Sequence, residues 1–100
     1  MSRQIVPFGA AQDGRPVEKI LLRRGRLEAE VMTLGAAVLS LRVPDREGRP
    51  VDVVLGWSCP AAYEENGGYL GMLVGRYANR IAGARCVIDG QEFRLTANEG

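Results

Sequence analysis

The chain of 100 residues has no histidine, the side chain whose ordinary pKa lies nearest neutrality. Ser-His-Asp and Cys-His catalytic arrangements are therefore excluded within it. Lysine is almost absent as well: Lys19 stands beside twelve arginines, a bias that reads first as genomic base composition. Thirteen basic and twelve acidic residues leave a net charge of +1, without the basic excess of a nucleic-acid or anionic-membrane surface. No apolar run approaches the roughly 18 residues of a spanning helix. The opening MSRQIVPFGAAQDG breaks at Pro7 and Gly9 without an apolar stretch of signal-peptide length. Cytoplasmic residence is the expectation, with neither nucleic acid nor membrane as partner. Cys59 and Cys86 lack CxxC spacing and read as reduced, small apolar residues in preference to a disulfide or metal pair.

What is present reads as short strands and turns. Pro16 to Arg23, Leu27 to Leu34, Ala37 to Val43 and Val51 to Leu55 alternate in polarity to varying degrees, the signature of half-buried strands. In the second, Leu27, Ala29, Val31 and Thr33 share a face; in the third, Ala37, Leu39, Leu41 and Val43 point inward, with Ser40 and Arg42 outward. Gly25 marks a hairpin turn, and residues 44–50 form a polar loop bounded by prolines. One helix is expected at Ser58 to Asn66, capped by Ser58, opened by Pro60 and stopped by Gly67-Gly68. Tyr69 to Ile81, Ala84 to Ile88 and Gln91 to Leu95 follow as strands. The last two flank Asp89-Gly90, a pair suited to the left-handed dihedrals of a two-residue hairpin. One mainly antiparallel all-β domain is the result.

Few groups in this pattern can carry chemistry. Residues 71–76, GMLVGR, superficially resemble a phosphate loop but lack its Lys-Ser/Thr end and a following amphipathic helix. GxGxxG is absent too, so no nucleotide cofactor is expected. Glu64-Glu65 and the Asp45/Glu47 pair read as solvated charge, without the apolar setting that shifts a catalytic carboxyl. That leaves residues 75–81, GRYANRI. Arg76 and Arg80 bring rigid forks of donors, and Asn79 brings both donor and acceptor, a set suited to neighbouring hydroxyls of a polyol. Arg76 and Arg80 would share one face of a regular strand while Asn79 points to the other. For Asn79 and Arg80 to meet one ligand, the backbone must bulge or bend. Otherwise the two arginines are rim residues paired with nearby acids.

From Leu34 onward the chain resembles the N-terminal part of the aldose 1-epimerases, or galactose mutarotases. The matching segments are LGAAVLSLRVPDREGRPVDVVLGW, the short helix around Ala61-Ala62-Tyr63, GMLVGRYANRI and the hairpin ARCVIDGQEFRL. The resemblance implies an incomplete antiparallel β-sandwich with a short helix near 59–66. It implies that Asn79 and Arg80 hydrogen-bond a monosaccharide and that Arg76 supports them, with no cofactor and no metal. It implies interconversion of the α and β anomers of free hexoses, a histidine protonating the ring oxygen while a glutamate deprotonates the anomeric hydroxyl. Such an acid and base need opposite protonation states at working pH.

Neither proton-transfer group has a match in these residues, and Glu64, Glu65 and Glu99 match no family base. The expectation is an N-terminal portion of an epimerase domain, cut before its histidine-bearing segment and inactive alone, self-associating through exposed sheet edges. A non-catalytic carbohydrate-binding module and a paralogue acting on hexose phosphates are the alternatives.

Overall fold

A computed structural model describes residues 1–65 and 68–98. Asn66 and Gly67, expected at the end of the helix, and Glu99 in the terminal turn lie outside those residues. Among the described residues are the strands β1 (Ser2–Ala10), β2 (Pro16–Arg24), β3 (Leu27–Met32), β4 (Val38–Pro44) and β5 (Pro50–Asp52). The helix α1 (Pro60–Glu64) follows, then β6 (Arg85–Ile88) and β7 (Gln91–Arg94). The first five strands form an antiparallel meander in chain order, and β6 and β7 pair as a separate two-stranded sheet. The architecture is all-β and antiparallel, one open sheet plus a small one, as a part of a sandwich would be.

The hairpins follow the turn chemistry. Arg24 pairs with Leu27 around Gly25, and Ile88 pairs with Gln91 around Asp89 and Gly90. Asp89 and Gly90 both take positive φ, 49° and 77°, the geometry whose twist matches that of the flanking strands. The proline-bounded loop closes on Asp45. Its carboxylate accepts the backbone N–H groups of Glu47 and Arg49, at 2.9 and 2.8 Å. The Arg49 N–H above all holds that carboxyl below its ordinary pKa. Asp45 and Glu47 both also pair with the Arg49 side chain, so this carboxylate pair is the fabric of a turn.

Three expectations need correction, and one strand was not foreseen. The N-terminal residues form a full strand, β1, although Pro7 and Gly9 interrupt the pattern. As an edge strand, β1 needs no N–H from Pro7 on its open side, and the register shifts between Pro7 and Gly9 as a bulge. Residues 69–81 are no strand: Tyr69, Gly71 and Asn79 take positive φ of 54°, 68° and 70°, which breaks extension repeatedly. Single hydrogen bonds, Val38 N–H to Gly71 O at 2.8 Å and Leu73 N–H to Gly35 O at 3.3 Å, stand where a ladder would be.

Ser40, expected outward, is buried. A register shift between Glu30 and Val31 moves the pairing from Glu30↔Ser40 to Val31↔Val38, and the bulge turns Leu39 and Ser40 inward together. Finally, α1 starts at Pro60 with Cys59 at the N-cap and no side-chain cap bond. Proline forces its predecessor into extended backbone, so Ser58 sits one residue too early to cap.

Packing concentrates at one end of the large sheet. Ala11, Val17, Met32, Ala37, Leu39 and Tyr63 form the buried cluster. Tyr63 anchors α1: its hydroxyl accepts the Trp57 backbone N–H at 3.0 Å, and its ring meets the Trp57 ring edge-on at 5.2 Å. Glu64 accepts the Gln12 backbone N–H at 2.7 Å, clasping the helix to the end of β1. Asp52 ends β5 by taking the Leu41 and Val54 N–H groups on one carboxylate oxygen, at 3.0 and 3.1 Å. Those donors, Leu41 first, lower its pKa. The radius of gyration is 17.5 Å, against about 13 Å for a compact domain of this length.

Candidate functional site

The segment that fails to become a strand lines a hollow among the described residues. After Asn79, whose left-handed φ of 70° turns the chain, Ile81 leads into a 3₁₀ turn over Ala82–Ala84. Asparagine is among the few residues that adopt this conformation readily, because its short carboxamide tolerates it. The β6–β7 hairpin then returns the chain, and the Leu95 N–H donates to the Ala84 carbonyl at 2.7 Å. Between the outgoing turn and the returning segment lies a hollow of about 550 Å³. Asn79 and Arg80 line one side; Thr96 and Asn98 line the other.

The two residues singled out for a polyol thus come together. Arg80 Nη1 donates to Asn79 Oδ1 at 3.0 Å, which fixes the two polar heads relative to each other. That bond uses one guanidinium donor and one lone pair, leaving the other guanidinium N–H groups and the Asn79 amide hydrogens for a guest. A fork beside a carboxamide is matched to two adjacent hydroxyls. Arg76 is exposed and does not line the hollow. The structure brings Asn79 to Arg80 but leaves Arg76 outside their shared space.

Thr96 and Asn98 were not singled out from the sequence, yet a signal existed. Asp89-Gly90 sets the hairpin register that returns Arg94 beside Arg85, so the residues after Leu95 leave the hairpin at the end where the arginine-asparagine motif enters it. Acids elsewhere are structurally occupied: Glu64 clasps the helix and Asp45 closes its turn. Among the described residues, no cluster of three or more cysteine or acidic side chains could hold a metal. Cys59 and Cys86 are both free.

Residues 18–100 match the family model described as aldose 1-epimerase, so the match takes in both walls of this hollow. The chain belongs to the aldose 1-epimerase family. Over 85 residues it is 41% identical to the galactose mutarotase of Rattus norvegicus, covering 85% of this chain and 25% of that protein. Over 91 residues it is 36% identical to the aldose 1-epimerase of Escherichia coli (strain K12), covering 90% and 26%. The galactose mutarotase of Homo sapiens is 38% identical over 86 residues, with 86% and 25% covered. This epimerase-family chain spans about a quarter of the length of the curated relatives it matches. No helix among its described residues is long and apolar enough to cross a membrane.

Proposed function

We propose that these residues supply the sugar-contacting part of an aldose 1-epimerase that interconverts α and β anomers of free hexoses such as glucose or galactose. One observation carries the assignment: Asn79 and Arg80, hydrogen-bonded at 3.0 Å, line a common hollow. Their donors hold adjacent hydroxyls of the pyranose, and Arg76 supports the motif from outside. Family membership and the names of the relatives support the same reading.

The reaction breaks the bond between the anomeric carbon and the ring oxygen. A base removes the anomeric hydroxyl proton, the electron pair forms the carbonyl, and an acid protonates the departing ring oxygen. Rotation about the adjacent carbon–carbon bond, followed by reclosure, gives the other anomer. No net oxidation occurs and the steps call for no cofactor. What this chain contributes is orientation: fixing the ring presents the anomeric and ring oxygens to the two proton-transfer groups.

Those groups lie on other polypeptide. The chain has no histidine, and Glu64 spends its carboxylate on Gln12. We place the work in the cytoplasm, where the two free cysteines stay reduced. Polarimetry tests the division of labour. Freshly dissolved α-galactose mixed with this chain should relax at the buffer rate, and faster relaxation would overturn it. In a polypeptide joining these residues to the proton-transfer groups, Arg80→Ala should lower kcat/KM about 10–100-fold, the loss of one charged hydrogen bond. An unchanged kcat/KM would refute the sugar-contacting role.

A further inference from the structure

A second recess lies on the large sheet, away from Asn79 and Arg80. Its volume is about 380 Å³, within the range of roughly 300–1,000 Å³ typical of small-molecule sites. Lys19, Glu30, Ser40, Arg42, Asp52 and Trp57 are among its lining residues. Two cations and two anions leave no net field to select an ion. Glu30 is committed on both oxygens, to Lys19 Nζ at 3.3 Å and to Arg42 Nη1 at 3.9 Å.

Hydrogen-bonding capacity remains after those contacts. Arg42 makes only that one long ion pair among the described residues, so most of its five N–H donors remain open. Asp52 uses Oδ1 for the Leu41 and Val54 N–H groups, leaving Oδ2 as an acceptor. The Ser40 residue is 5% exposed, and its Oγ is buried without a hydrogen-bond partner. That oxygen is closed to solvent, so the hydrogen-bonding surface a guest can reach is that of Arg42 and Asp52. Trp57 forms part of the wall at 40% exposure, its ring held by the edge-on contact with Tyr63. Phe8 lies beneath the Lys19 ammonium, 5.4 Å from it.

We propose that this recess is a second saccharide-binding subsite, taking a neutral mono- or disaccharide against the Trp57 ring. A hydroxyl both donates and accepts, and so fits a wall that mixes Arg42 donors with the Asp52 acceptor. An indole offers a flat apolar surface to the C–H face of a pyranose. A phosphate or carboxylate ligand would gain nothing from balanced charges. The subsite is independent of the hollow at Asn79 and of the reaction assigned to it.

Trp57 is the chain's one tryptophan, so its selectively excited emission reports on this recess. The probe is methyl α-D-galactopyranoside, whose locked anomeric centre cannot mutarotate. Titration should give a saturable emission change with a midpoint of about 1–10 mM. Arg42→Gln should weaken it at least about tenfold, while Arg80→Ala should leave the curve unchanged. Circular dichroism verifies that the Arg42 variant keeps its sheet; if it does not, Asp52→Asn, which keeps an oxygen for the Leu41 and Val54 N–H groups but loses the Oδ2 acceptor, takes its place with the same expected weakening. Four results would overturn the proposal: no saturable change, an undiminished response in the folded recess variant, loss of the response with Arg80→Ala, or a stronger response to inorganic phosphate.

Discussion

At the scale of single residues, the side chains that hold this molecule together are mostly those whose sequence context looked least remarkable. Tyr63 is fully buried, yet its hydroxyl finds the Trp57 backbone N–H, so one residue fills the core and ends a loop. Tyr63→Phe keeps the ring and orphans that donor; the expected loss is about 0.5–1.5 kcal/mol, read from the midpoint of a denaturant melt. A variant as stable as the parent would show that water replaces the bond at no cost. Glu64 reads as surface charge in the sequence and Asp52 as one position of a short strand, yet both serve as backbone acceptors in the fold. Such roles are hard to foresee, because they depend on which N–H groups a bulge or a short helix leaves unpaired. Arg80 and Asn79 were legible for the opposite reason: a guanidinium and a carboxamide side by side exceed what a buried strand needs.

Among the elements, the hairpins were readable because their turns have chemical signatures. Gly25 and Asp89-Gly90 fix register through dihedrals that few other residues accept. Segment 69–81 was not readable, since its apolar content satisfies a strand pattern while its backbone turns on positive φ at Tyr69, Gly71 and Asn79. Polarity patterns record which side chains seek cover; they carry little information on where a chain bends. Strand β1 was missed by the converse error, as a proline on an edge costs no ladder bond. Gly71 is the residue on which the segment turns. Its φ is +68°, and a Cβ there would run into the Val38 carbonyl oxygen. Gly71→Ala should therefore dislodge the segment that leads to Asn79, lowering the thermal midpoint and disrupting the hollow. A variant that melts with the parent and keeps its sugar response would contradict this.

For the whole molecule, the notable quantity is the mismatch between extent and core. The chain measures 55 × 31 × 25 Å around a buried cluster of six among the described residues. Ile5, Leu27 and Val51 on the large sheet stay about half exposed, and Val87 and Ile88 on the hairpin more so. The outer strands β1 and β5 each have one neighbour, and open edges beside apolar faces favour association. Sedimentation should give species heavier than the 10.9 kDa chain; a monomer at all concentrations would show that these surfaces tolerate water.

The fold class was recoverable from turn spacing and alternation. The size of the gap in the core was not, because it depends on how strands pack in three dimensions. The hollow proposed for the sugar lies where that irregular packing leaves space, between Asn79-Arg80 and Thr96–Asn98. The chain has three asparagines, of which Asn79 and Asn98 line the hollow. Labelling asparagine with ¹⁵N therefore reduces the question to a few side-chain amide signals. On titration with methyl α-D-galactopyranoside, the Asn79 and Asn98 amides should shift together and saturate, and Arg80→Ala should abolish both shifts. Amides that stay put, or that shift equally without Arg80, would contradict the assignment of this hollow to the sugar.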